Sequence, residues 1–245
     1  MFLEALGQLG TGTGLLLSAG FLVGIMHAFE PDHISAVMTQ MQNSRAKKVT
    51  ASLGLATLKS SLLGAIWGFG HTSMILLVSF LVFVLAFRIP AAIFDGFELA
   101  VGVMLVALGI SMYAKKIHPG HSHPHVHENG TVHTHPHGHG GGHLHTHKSY
   151  LIGCIHGLAG SGSLIALSAV TLGDIYGVFS FVLVFGLGSI IGMMVASGTL
   201  SVPFHLSSGF AKLRRGLQIL AGTVTVIIGA VIIHGLVSGK LTAFL

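Results

Sequence analysis

Within an apolar stretch that begins near Leu15, the run GIMHAFEPDHISAV places His27, Glu30, Asp32 and His33 close together in the chain. A carboxylate at bilayer depth costs roughly 2.5 to 3.5 kcal/mol on insertion scales, so two of them beside two imidazoles require compensating charge. A divalent cation would supply it. Imidazole nitrogens combined with carboxylate oxygens suit nickel, cobalt and zinc better than magnesium or calcium. The single cysteine, Cys154, provides no thiolate set for copper(I) and no thiol pair for a redox relay, and reads as a small apolar core residue.

Regular helix geometry scatters these side chains, since His27 and Pro31 share a face while Asp32 and His33 point elsewhere. Pro31 changes that. It removes a backbone donor and drives Glu30 out of helical angles, which predicts a kink or unwound turn that swings His27, Asp32 and His33 toward one point. His71, in WGFGHTSM, is the natural fifth member, beside two glycines that permit close helix approach. The candidate metal set is therefore His27, Glu30, Asp32, His33 and His71. Glu98 reads as an interfacial carboxylate or a proton carrier, and His156 as lining the opposite half of a pathway. His205 and His234 sit near span ends, where a structural role is expected.

The elements that must position these residues are transmembrane helices. With 51% apolar residues, 8% charged, a mean hydropathy of +0.82 and 35 glycines in 245 residues, the chain has too little polar surface for a water-soluble globule. The opening residues carry Glu4 and no base before the first apolar run, so that span is read as retained. Apolar stretches run approximately over 15–38, 55–87, 91–113, 150–172, 178–204 and 217–236. The second exceeds one simple crossing and is expected to tilt, or to break near Gly68 and Gly70. The expected fold is an all-α polytopic membrane protein of six transmembrane helices, the first broken near Pro31.

Basic residues orient the helices. Arg45, Lys47, Lys48, Lys115, Lys116, Lys148, Lys212, Arg214 and Arg215 fall on one side of the alternating connections, with Arg88 and Lys240 on the other. The positive-inside rule makes the first group cytoplasmic and puts both termini outside an inner or plasma membrane. The formal charge of +5 is then an orientation signal, and no nucleic-acid partner is implied.

Between the third and fourth spans lies a low-complexity segment carrying His118, His121, His123, His125, His127, His133, His135, His137, His139, His143, His145 and His147. With little apolar surface to offset ordering entropy, residues 118–148 are expected to be a flexible cytoplasmic loop that captures transition ions in many equivalent ways. The loop divides the chain into a first three-helix unit, 1–117, and a second, 149–245. The two resemble each other. Glu98, Gly102 and Gly109 match Gln218, Gly222 and Gly229 at an offset of 120; the GFG at 68–70 matches the GLG at 186–188 at 118; GIMHA around His27 matches GCIHG around His156 at 129. Two units of three spans must lie in opposite orientations, and such inverted repeats enclose midplane sites where helices are interrupted.

HAFEPDHI at 27–34 resembles the HxxxxDH signature of the nickel/cobalt transporter superfamily, with Glu30 and Pro31 in place of the usual Asp and Ala, and GHTS at 70–73 resembles its second motif. The resemblance implies that His27, Asp32 and His33 bind the ion during passage, with His71 close by. The second half lacks the acidic-threonine motifs of the eight-span members; HGLAGSGS and FGLGSIIGM stand there instead, a pattern more similar to the six-span urease-accessory-type permeases and nickel/cobalt exporters.

The expected activity is secondary transport of nickel or cobalt, with zinc also compatible, and with no cofactor. No nucleotide-binding Gly-Lys motif occurs, so neither ATP hydrolysis nor another enzymatic role is expected. A divalent ion moving inward gains about 4.6 kcal/mol per 100 mV, enough to drive uptake without a coupling ion. Uptake is the reading taken. The alternatives are efflux by proton exchange, and a membrane-anchored factor whose loop delivers ions to a cytoplasmic metallochaperone or nickel-enzyme assembly factor.

Overall fold

The computed structural model describes residues 2–41, 53–85, 89–114, 123–126, 132–135, 147–159 and 175–242. Its helices are α1 (Phe2–His27), α2 (Pro31–Met41), α3 (Leu53–Phe83), α4 (Ala91–Ala114), α5 (147–159), α6 (Ile175–Leu206) and α7 (Ala211–Thr242). Four of them, α3, α4, α6 and α7, are long and apolar enough to cross a membrane alone, and α1 with α2 makes a fifth candidate span, bent by 53°. The chain is thus a multi-pass helical membrane protein. Of the span expected over 150–172, only the part up to 159 lies among the described residues.

The bend is set by Pro31. It occupies the first helical position of α2, where its fixed φ is favourable and its missing N–H is an orphan in any case. Tight turns close α1 just before it: the Phe29 amide donates to the Met26 carbonyl at 2.9 Å and the Glu30 amide to His27 at 3.1 Å. The Glu30 carbonyl then accepts from Ile34 at 3.0 Å as α2 begins.

Of the two outcomes expected for the second span, a tilt or a break near Gly68 and Gly70, the break does not occur, because α3 runs uninterrupted through both glycines. Helical glycines cost only about 1 kcal/mol each, and here they are used for packing. A Cβ at Gly68 would stand 2.9 Å from the Ile190 Cα on α6, and one at Gly70 would strike the Tyr150 carbonyl on α5. The histidine-rich segment also departs from expectation. His123–Val126 (β1) and Val132–His135 (β2) pair antiparallel, with His123 opposite His135 and His125 opposite His133. Alternation of histidine with Pro, Val and Thr is a strand periodicity that the composition of the segment concealed. His118, His121, His127, His137, His139, His143 and His145 lie outside the described residues, and His147 begins α5, exposed.

Helix packing is organised by small residues, as expected where lipid offers no hydrophobic drive to association. The close approaches come in matched pairs at the offsets read from the sequence. A Cβ at Gly24 would meet the Phe185 carbonyl, and one at Gly153 the Trp67 carbonyl; Gly188 stands against Phe21, and Gly70 against Tyr150. Gly102 and Gly229 face each other's carbonyl oxygens, as do Gly109 and Gly222, so α4 and α7 are antiparallel. Where the helices meet, Ala28, Val37, Trp67, Leu105, Ile152 and Met193 form a buried apolar cluster, and Ile75, Val182 and Phe185 belong to a second.

Candidate metal centre

The break between α1 and α2 delivers four polar side chains to one place. His27 ends α1, Glu30 occupies the turn, and Asp32 and His33 lie in the first turn of α2. His71 comes from the middle of α3 and His156 from α5. His33, His71 and His156 are essentially solvent-free at 2%, 0% and 1% exposure, and His27 is largely covered. Burial of this kind requires that each ring have a use, since an unpaired buried polar group costs about 1 to 3 kcal/mol.

Carboxylates account for three of the eight ring nitrogens. His33 Nδ1 lies 3.0 Å from Asp32 Oδ1, and His156 Nε2 lies 3.1 Å from Asp32 Oδ2, so one carboxylate joins α2 to α5. His27 Nδ1 is 3.0 Å from Glu30 Oε1. Each carboxylate accepts a hydrogen bond from the nitrogen that faces it and leaves the neutral ring's lone pair on the other. Those other nitrogens, His27 Nε2, His33 Nε2 and His156 Nδ1, together with both nitrogens of His71, are buried without a hydrogen-bond partner among the described residues.

Among the described residues, two sets of donors are compact enough for a metal ion. His27, His33 and His71 each offer one atom, all within 4.8 Å of one another, and Asp32, His33 and His156 do the same. His33 belongs to both. Its ring centroid is 4.4 Å from that of His27, 5.2 Å from His71 and 4.5 Å from His156. Aromatic rings wall the cluster, with Phe185 centred 5.4 Å from His27 and Trp67 centred 5.6 Å from His156.

Of the residues singled out in the sequence, His27, Asp32, His33, His71 and His156 therefore converge. Glu30 sits behind His27 as its hydrogen-bond acceptor, with its side chain 54% exposed, and belongs to neither compact set. Glu98 lies exposed on α4, also outside both. The direct Asp32–His156 bond and the placement of Trp67 were not foreseen. The signal for the first was present in the GIMHA and GCIHG match, which makes His156 the counterpart of His27.

No family model matches the chain, and no solved structure does. Among curated proteins, the urease accessory protein UreH of Bacillus sp. (strain TB-90) is 32% identical to it over 217 residues, which cover 87% of this chain and 88% of the relative. An alignment of that identity running nearly end to end means that the chain belongs to the urease-accessory type of the nickel/cobalt transporter superfamily, which it resembles in its HAFEPDHI and GHTS motifs.

Proposed function

We propose that this protein is a permease that carries Ni2+ or Co2+ inward across the membrane through the His27, His33 and His71 cluster. The family is one of transporters rather than enzymes. The observation that carries the reading is the meeting of unpartnered, buried imidazole nitrogens from α1, α2 and α3 at a broken membrane span. Buried imidazole nitrogens gathered within 4.8 Å of one another without partners are costly as packing alone, whereas a borderline divalent ion satisfies them together. Asp32 and Glu30, hydrogen-bonded to His33 Nδ1 and His27 Nδ1, orient those rings, and Asp32 also offsets the ion's charge.

The paired close approaches support two inverted three-span units, with the ion held between them. Contacts of α1 with α6 recur between α5 and α3, and the α4–α7 seam pairs Gly102 with Gly229 and Gly109 with Gly222, as a two-fold axis in the membrane plane requires. On the orientation set by the basic residues, both termini are outside and the histidine hairpin is cytoplasmic. It would there receive the incoming ion and pass it to a nickel-enzyme assembly factor, a role suggested by the relative's printed name, urease accessory protein. The test is metal flux in sealed proteoliposomes, in both directions and with competing ions. Nickel or cobalt should enter down an inside-negative potential and be lost from the His33→Ala variant; flux untouched by that variant would remove the reading.

A further inference from the structure

We propose that the ion occupies two alternate positions, one held by His27, His33 and His71 and the other by Asp32, His33 and His156, and passes between them by changing partners around His33. This rests on the transport reading above. Both trios are compact enough for an ion, and His33 is their common member.

The surroundings of His33 repeat on its two sides. His27 lies 4.4 Å away and is backed by Phe185 at 5.4 Å; His156 lies 4.5 Å away and is backed by Trp67 at 5.6 Å. His156 follows His27 by 129 positions and Phe185 follows Trp67 by 118, the same offsets that relate the helix contacts. His33 thus stands between equivalent places in the two units. The equivalence is incomplete in one respect, because the counterpart of His71 at offset 118 is Ser189, whose hydroxyl donates to the Gly24 carbonyl at 3.2 Å. The second position has Asp32 in place of a third imidazole.

The chemistry makes the two positions exclusive. In the first, His33 donates from Nδ1 to Asp32 and binds the ion through Nε2. In the second, its Nδ1 and the Nε2 of His156 stand 3.0 and 3.1 Å from the Asp32 oxygens. Ligands bound at about 2.0 to 2.2 Å to one ion are roughly 3.0 to 3.5 Å from one another, close to these two distances. Binding there replaces both hydrogen bonds and requires each imidazole's single proton to move from the nitrogen that faced Asp32 to the other ring nitrogen, with no net proton gained or lost. A neutral ring presents one lone pair at a time, so a single ion moves from one trio to the other.

The test uses Co2+ alone, followed by visible and X-ray absorption, on the full-length protein in detergent with the histidines of 118–147 replaced by asparagine. Flux is measured on the same proteins in vesicles. His156→Gln keeps an N–H to donate to Asp32 but is a poor ligand. It should hold cobalt in an all-imidazole shell within about tenfold of the parent affinity while flux falls by more than about tenfold. His71→Gln should also bind, with carboxylate oxygen in the shell, and the double variant should lose binding. Identical spectra in the two single variants, parental flux in His156→Gln, or loss of binding there as complete as in His33→Ala would overturn the two-position proposal alone. His156→Asn provides the same readout if the glutamine variant does not fold. A parent that binds no cobalt overturns the transport reading and this proposal with it.

Discussion

Replacing Asp32 with Asn changes one atom and leaves the shape of the side chain intact. The carboxylate accepts from His33 at 3.0 Å and from His156 at 3.1 Å, and is only one-quarter exposed. Asparagine keeps one acceptor oxygen and turns an N–H2 donor toward the other imidazole, so one charge-assisted bond is lost and a donor faces a donor. A hydrogen bond to a charged group contributes about 1.5 to 3 kcal/mol, which converts to roughly a 10- to 150-fold weaker ion affinity. The loss agrees with the roughly 10- to 100-fold effect of removing groups that orient metal ligands. Glu30→Gln is the internal comparison. The chemical change is the same, but the Glu30 side chain is 54% exposed, and an exposed pair contributes only about 0.2 to 1 kcal/mol, or up to about fivefold. Nickel binding to the purified protein by calorimetry, with initial flux rates in vesicles, reads both variants. An Asp32→Asn protein that binds nickel within threefold of the parent, or a Glu30→Gln protein that loses as much as Asp32→Asn, would refute the assignment of Asp32 as the buried carboxylate that sets the ring orientations.

His71→Leu removes two buried ring nitrogens that lack partners among the described residues, so the ion-free protein should unfold with about 1 to 3 kcal/mol more free energy. Nickel should still stabilise that variant through the Asp32, His33 and His156 trio, whereas His33→Ala should lose the roughly 2.7 kcal/mol expected at nickel 100-fold above Kd, as read by thermal unfolding with and without the ion. Gly153→Val would drive a side chain into the Trp67 carbonyl and should cost about 1 to 3 kcal/mol. Gly14→Ala, with open space around it, should instead gain up to about 1 kcal/mol in the same unfolding measurement. Deleting residues 118–147 should leave flux at saturating nickel while slowing it at limiting nickel; loss of flux at every concentration would favour the anchored-delivery alternative.

The ligand types were legible because apolar sequence is a sparse background. Imidazoles and carboxylates inside a run that must meet lipid stand out, and Pro31 within that run marks the interruption through its own covalent geometry. Helix type followed for the same reason, since unpaired backbone groups have no place in lipid and long apolar runs satisfy them internally. The glycine pairs were also visible, as matched spacings at 118, 120 and 129 residues. For α3 they left a break and a close helix contact both open, because a glycine permits either, and only the neighbouring helix selects between them. Likewise the composition of the histidine segment obscured a two-residue alternation that pairs His123 with His135.

Tertiary structure alone decided which polar residues meet. Glu30 and Asp32 are two positions apart in the chain, yet one faces the edge of the cluster while the other bridges His33 to His156, 124 residues away. His71 reaches the cluster because α3 passes beside the α1–α2 break, and Glu98, equally conspicuous in the sequence, is carried to an exposed face of α4. Residue type and spacing determine what a side chain can bind and where its own helix bends. Partnership between distant groups depends on how separate helices cross, and that is set by packing summed over whole helix faces, which no local pattern contains.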